Sequence, residues 1–386
     1  MLIDMFPMKE GKRPAASNAY TVLDPSTVNY DANYPFMDRD PRFYRTFAFP
    51  GVRWAFNGDP RGEQNHHPYN GRDYELWNYV WYTKAEDRDN IESGSTYGPD
   101  NLMGNVKGMY IRKRTDDFDN NTCLYVFDVT NNGFKQSAAP YFELRYAEVL
   151  LNYAEAAAGA GKMSVAVEQL KRIRQRVGYT GDCGLQGSLT SNQAACLAAV
   201  LYERQIELAY EGKRFDDMRR WMLFDGGVNV PAGASSNFNL TGWNGNTCTY
   251  LGYEPLNGRR RDNMEFRVQS GYKNGLGKDT WADDLSHDPI GNVTRPAGVD
   301  YRQDLEPQLA TLKTFYQTYL ERNKKKGDSY DSDHTELFVD FKPQYYILGF
   351  SQGVHANNSG LEQTMGWNDT QHGGAGKFDP LALPVE

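Results

Sequence analysis

Two stretches decide the fold of this 386-residue chain: FELRYAEVLLNYAEAAAGAG, residues 142–161, and YERQIELAYEGKRFDDMRRW, residues 202–221. In the first, Leu144, Ala147, Leu151 and Ala154 recur at helical spacing, and Tyr146, Leu150 and Tyr153 widen the apolar stripe. One face of a helix is therefore expected to lie against another element. Ala158-Gly159-Ala160-Gly161 breaks the pattern. The spacing predicts a second helix over 164–177 with Val167, Leu170 and Ile173 inward and Gly178 at its end. The pair reads as an antiparallel helical hairpin.

The second stretch restates the first with more charge. Leu197, Val200, Leu201 and Leu208 make its apolar stripe, while Glu203, Glu207 and Glu211 stand at successive i+4 positions as an acidic column. Such a column repels itself unless cations lie against it. Arg204, Arg214, Arg219 and Arg220, with Arg172, Arg174 and Arg176 of the preceding helix, are the candidates. One reading is a structural ion-pair lattice built on Glu203, Arg204, Glu207, Glu211 and Arg214 that fixes how the hairpins stack. The other, a carboxylate metal or acid/base site, needs a partner such as histidine, and none lies between His67 and His287. The lattice is the expectation.

The runs Leu144-Arg145-Tyr146-Ala147-Glu148 and Asn152-Tyr153-Ala154-Glu155-Ala156 open a series that resembles the SusD/RagB family, surface lipoproteins of Bacteroidetes. The series goes on through Glu203-Arg204, Glu207-Leu208, Glu211-Gly212, Arg214-Phe215, Asp217 and Arg219-Arg220-Trp221. Two outlying segments agree: Arg39-Asp40-Pro41-Arg42-Phe43 near the start, and Asn357 to Trp367 (NNSGLEQTMGW) followed by Phe378-Asp379-Pro380-Leu381 near the end. The resemblance spans residues 5–383. It implies a mainly α fold: a tetratricopeptide-like helix-hairpin scaffold with extensive irregular loops and short strands. A hairpin of about 34 residues is the period such a repeat requires. Family members carry an earlier segment with a secretion signal, an acylated cysteine and the first helix pairs, whereas this chain begins inside the pattern at Ile3-Asp4-Met5-Phe6-Pro7-Met8.

Three subregions are expected within one unit. Residues 1–140 are irregular, aromatic-rich and a candidate ligand-binding region; 141–225 hold the two hairpins. Residues 226–386 are loop-rich, with a helix over 305–322 that ends in Lys324-Lys325-Lys326-Gly327, read as a solvated terminus, and with the family's C-terminal motif. A net charge of -8 argues against a nucleic-acid partner. No apolar run reaches the roughly 18 residues of a membrane-spanning helix; the resemblance implies membrane attachment only through a lipid anchor outside this sequence. Cys123, Cys183, Cys196 and Cys248 show no metal-ligand spacing. In an oxidising compartment Cys183 and Cys196 lie close enough in sequence to bridge the loop between hairpins; otherwise the four are small core residues. Asp328, Asp331, Asp333 and Glu336 lack the glycine and spacing of a calcium-binding loop. P-loop, helix-opening GxGxxG and HExxH motifs are missing. A carboxylate pair for glycoside hydrolysis is a three-dimensional property that sequence leaves open. The resemblance implies binding without turnover, with no metal, cofactor or catalytic residue.

The densest aromatic patch is Tyr74-Glu75-Leu76-Trp77-Asn78-Tyr79-Val80-Trp81-Tyr82, with Trp54 and Phe56 upstream. As a strand it places Trp77, Tyr79 and Trp81 on one face; as a helix it aligns Tyr74, Trp77 and Trp81. A pyranose packs its C–H face on such rings and needs in-plane hydrogen-bonding groups around them. Candidate glycan contacts are therefore Trp77, Trp81, Tyr79, Tyr74 and Trp54 with Asn78, Asp73 and Arg72, the alternative being rings that fill the core. The resemblance implies a non-catalytic surface protein that captures oligosaccharide or polysaccharide and delivers it to a SusC-like TonB-dependent transporter in the outer membrane. A RagB-like peptide binder and a scaffold that binds only a protein partner are the alternatives.

Overall fold

Eight α-helices lie among the residues described in a computed structural model of the chain: 2–11, 13–14, 27–28, 30–54, 75–82, 96–97, 108–113, 125–128, 133–137, 142–221, 263–269, 288–325 and 346–379. They are α1 (Leu2–Met5), α2 (Pro41–Thr46), α3 (Tyr146–Gly159), α4 (Met163–Arg176), α5 (Gln193–Glu207), α6 (Lys213–Arg220), α7 (Leu305–Tyr319) and α8 (Gln352–Asn357). None is long and apolar enough to cross a membrane.

Helices α3 and α4 form a hairpin, and α3 packs on both α4 and α5; α6 is tied to α5 by Arg204, whose Nε donates to Asp217 at 2.6 Å. At the end of α4, Gly178 takes the left-handed φ of +100° that closes a helix, and the Tyr179 N–H returns to the Arg174 carbonyl at 3.2 Å. The buried face of α3 differs from the expected stripe. Leu150, Leu151, Ala154, Ala157 and Ala158 are buried, whereas Leu144, Tyr146 and Tyr153 stand 59%, 63% and 54% exposed. Glu148 turns inward in their place because Arg204 (3.5 Å) and Lys213 (3.4 Å) reach its carboxylate.

Two hydrophobic clusters result, and α5 separates them. Leu197, Ala199, Val200 and Leu208 join α3 and α4 in the hairpin cluster. Ala198, Leu201, Tyr202, Ile206 and Ala209 join a larger cluster in which Phe6, Phe36, Phe43, Trp77, Phe266, Leu312 and Tyr316 are packed together. Being apolar on two sides, α5 is held as a shared wall. Cys183 and Cys196 are both buried in the hairpin cluster as free thiols, so no bridge closes the loop.

The described strands are short and paired two by two. The longest pair sets Asn263–Val268 antiparallel to Leu320–Lys325, with Asn263 opposite Lys325 and Val268 opposite Leu320. Helix α7 accordingly stops at Tyr319, and Lys324 and Lys325 extend a ladder instead of ending a helix. The ladder satisfies backbone groups that another helical turn would otherwise pair.

Candidate functional site

The acidic column of α5 is saturated with cations. Arg42 Nη1 lies 2.6 Å from Glu203 and 2.9 Å from Glu207, while Arg174 Nε holds the other Glu203 oxygen at 2.8 Å. Arg145 bridges Glu207 (2.6 Å) and Glu211 (2.7 Å). Arg176 adds a contact to Glu207 at 2.7 Å and Lys113 one to Glu211 at 2.6 Å. Glu203, Glu207 and Glu211 are all buried. Burial alone would raise the Glu207 carboxyl, but Arg42, Arg145 and Arg176 outweigh it and bring it down to about 2. Arg204, next to Glu203 on α5, bonds Asp217 and Asn152 at 2.6 Å each. Arg214 is half-buried in the first turn of α6.

Sequence reading found the carboxylates but not all their partners. Arg42, Lys113 and Arg145 come from outside the helix that precedes the column, and Arg172 turns away to the Tyr146 hydroxyl at 3.0 Å. Arg220 bonds Glu155 at 2.7 Å. Among the described residues, no group of three or more His, Cys, Asp or Glu side chains is placed to hold a metal ion. The column's geometry is that of a lattice tying the hairpins to α2.

The aromatic run lies in the core. Trp77, Asn78 and Tyr79 are completely buried, Trp81 is 7% exposed and Trp54 3%. Trp77 meets Phe315 edge-on at 5.3 Å, Trp54 lies 5.8 Å from Tyr110, and Tyr79 lies 6.3 Å from Trp81. Asn78 donates to the Gly108 carbonyl. The Tyr79 hydroxyl donates to Asp288 and accepts from Arg295 at 2.7 Å. Pairing on both flanks explains the enclosure: Leu76 pairs with Val52, and Val80 bridges Arg267. In this arrangement the rings lie against protein and offer no exposed platform. Arg72, Asp73 and Tyr74 lie outside the described residues.

Among the described residues, two clefts with open polar surface lie on either side of the segment Met8–Glu10. The larger, about 770 Å³, has Lys9 and Glu10 on one wall and Tyr179, Asp182, Gln186 and Ser188 of the α4–α5 connection on the other. Its walls approach closely where Gly184 crosses the N-terminal segment. Gly184 has φ +67°, and a Cβ there would lie 2.3 Å from the Glu10 carbonyl oxygen. The smaller cleft, about 420 Å³, is lined by Met8, by Tyr30, Asp31, Tyr34, Met37 and Asp38, and by Lys313 of α7. Between the two clefts Lys9 pairs with Asp38 at 3.2 Å.

A rigid frame holds the wall of the smaller cleft. The buried Arg39 guanidinium donates to the carbonyls of Ile3 (2.6 Å), Phe6 (2.8 Å) and Pro35 (2.9 Å) and lies 4.8 Å from the centre of the Tyr30 ring. Tyr44 donates to the Phe36 carbonyl at 2.7 Å, and Arg322 to that of Ala32 at 2.9 Å. Asp4, held by Arg322 at 2.7 Å, accepts the Tyr30 hydroxyl at 2.6 Å. Burial pushes that hydroxyl's pKa up to about 12. The signal that would have marked this wall in sequence is Tyr30-Asp31-Ala32-Asn33-Tyr34, two rings spaced by turn formers.

Residues 1–367 match the SusD family. This chain belongs to that family. SusD-like protein P2 of Formosa agariphila is 37% identical over 99 residues, 24% of this chain and 19% of that protein. A SusD-like protein of solved structure from Bacteroides fragilis is 25% identical, aligned over 58% of this chain and 35% of its own, with a TM-score of 0.37. A SusD-like carbohydrate binding protein from Bacteroides fragilis is 23% identical, over 57% and 34%, with a TM-score of 0.31. The matched stretch thus spans about a fifth of the curated relative and about a third of the solved chains.

Within this SusD-family chain the residues that carry the resemblance are mainly framework. Arg145, Glu203, Glu207, Glu211 and Arg42 make the lattice. In the C-terminal motif Gln363 exchanges two hydrogen bonds with the Phe350 backbone (2.8 and 3.0 Å), and the Trp367 indole donates to the Ile347 carbonyl at 2.9 Å.

Proposed function

We propose that this SusD-family chain is a non-catalytic glycan-capture protein of the outer-membrane surface, which passes oligosaccharide to a SusC-like TonB-dependent transporter. The observation that carries the reading is the family match over residues 1–367. The physical support is a division of labour in the structure. Carboxylates of the hairpins are held by guanidinium groups and so are poorly placed for acid/base turnover. Clefts that combine rings with hydrogen-bonding groups open to solvent beside the Met8–Glu10 segment.

Affinity electrophoresis of the full chain through gels containing soluble polysaccharides tests the reading, with product analysis of the same mixtures. Retardation by at least one polysaccharide without released sugar is the expected result. Calorimetric binding of peptides with no retardation by any polysaccharide would replace glycan by peptide, and release of reducing ends would make the protein an enzyme. The transporter step is tested by co-purification from the cell envelope: a TonB-dependent receptor recovered with the chain is expected.

A further inference from the structure

The wall at residues 30–38 joins a fixed backbone to open polar groups. Its backbone is pinned from behind by Arg39, Tyr44 and Arg322, and by tight turns from the Tyr34 N–H to Asp31 (3.1 Å) and from the Met37 N–H to Tyr34 (3.0 Å). Tyr34 and Met37 rest one side on the main core cluster. Yet the Tyr34 hydroxyl has no hydrogen bond among the described residues, and Asp31 uses one carboxylate oxygen on the Asn33 N–H (2.9 Å) and leaves the other open. The Lys313 ammonium, 5.3 Å from the centre of the Tyr34 ring, lines the same cleft.

A fixed wall with open groups is what preorganised recognition requires, since neither backbone nor ring must be ordered when a ligand arrives. The chemistry of those groups selects a class. A phenol ring and two methionines supply apolar surface, while a hydroxyl, a carboxylate and an ammonium supply donors and acceptors around it. Little net charge faces the cleft: its lining carries Asp31 and Asp38 against Lys313, and Asp38 is paired with Lys9 at 3.2 Å. A uronate or sulfated sugar would meet two carboxylates with no surplus cation to receive it. A peptide would look for an unpaired strand edge, and no lining residue belongs to a strand; Met8 is already bridged to Arg39. The volume of about 420 Å³ falls within the range of about 300–1,000 Å³ of small-ligand sites.

We infer that the cleft between Tyr34, Asp31 and Lys313 binds a short stretch of a neutral glycan. The inference rests on the glycan-capture reading and adds to it a place and a charge class. Full-length chain and the variants Tyr34→Ala, Tyr34→Phe and Asp31→Asn are run through gels containing a neutral β-glucan, xyloglucan, galactomannan or α-glucan, or polygalacturonate, at low and at moderate salt. Tyr153→Ala, on the exposed face of α3, serves as the control. Expected are retardation of the parent by one neutral polysaccharide with no change on adding salt, and roughly tenfold weaker binding in Tyr34→Ala. Tyr34→Phe should lose less, Asp31→Asn several-fold, and Tyr153→Ala nothing.

Circular dichroism melts check each variant's folding. Should Tyr34→Ala fail to fold, Asp31→Asn carries the test, because its side chain is exposed. Neutral-polysaccharide binding that is the same in the parent, Tyr34→Ala and Asp31→Asn overturns this site and leaves glycan capture standing. Retardation only by polygalacturonate, or binding that falls with salt, overturns the charge class. No polysaccharide binding by the parent, with or without peptide binding in calorimetry, overturns this inference together with the reading beneath it.

Discussion

The acid column of α5 and the wall at residues 30–38 use the same kinds of side chain and differ in how many partners each group has. Glu203 is shared by two buried guanidinium groups at 2.6 and 2.8 Å. Asp31 makes one short-range bond, to a neighbouring N–H at 2.9 Å. The same contrast holds for rings: Trp77 and Tyr79 are fully buried, whereas Tyr34 keeps one side toward a cleft. Residue type says little about role in this chain. Saturation of a group's bonding capacity separates framework from binding surface, because a buried group must be satisfied by the protein and an open one can be satisfied by a ligand.

If that contrast is sound, its framework half should fail hard under truncation. Glu203→Ala leaves Arg42 facing a weakened partner set and Arg174 without its carboxylate, both guanidinium groups being buried. A loss of about 5 kcal/mol in unfolding free energy is expected, measured by urea denaturation of the full chain. A loss below about 1 kcal/mol would show that the column is not framework. Trp77→Ala should cost about 4 kcal/mol, since it removes a fully buried indole packed on Phe315. Near-neutral stability in that variant would reopen the aromatic run as a ligand surface.

Acid should act on the same lattice. The Glu207 carboxyl is held at about 2 in the folded chain, below its usual value of 4.5. A depressed carboxylate stabilises the fold at any pH above the unfolded value and ceases to do so as pH falls through the folded one. The melting temperature should therefore hold steady above pH 4.5 and drop as pH falls from there toward 2. Arg145→Gln, which removes one of the cations responsible, should shrink the drop.

Helix positions were legible in sequence because the 3.6-residue period of α3 to α6 is strong, and Gly178 and Gly161 punctuate it with left-handed turns. Which face of α3 turns inward was less legible. Tyr146 and Tyr153 look like core residues, but burial is decided by what α4 and α5 present, and Arg204 with Lys213 makes room for Glu148. The local pattern carries helix α7 to residue 322, three residues past its end at Tyr319, because Leu320–Lys325 finds a strand partner in Asn263–Val268, a pairing no local pattern encodes. The aromatic run announced buried or stacking rings without saying which, since the flanking partners Val52 and Arg267 lie far away in the chain. The smaller cleft joins Met8, residues 30–38 and Lys313, and only the folded chain brings these together.

The smallest effect is the most pointed test of the comparison. Lys9 and Asp38 form an ion pair at 3.2 Å in which both side chains are about half exposed, 52% and 54%. An exposed pair gains little over two hydrated charges, so Lys9→Ala should change the unfolding free energy by less than about 0.5 kcal/mol. This pair is longer than those of the column, which run from 2.6 to 2.9 Å, and both of its side chains are far more exposed than the column's glutamates. A loss above about 2 kcal/mol would mean that the strip between the clefts is framework too, and that open charges in this chain can be as structural as buried ones. A change within the expected range leaves solvent exposure as the variable that separates the two regions, with the Met8–Glu10 rim on the binding side.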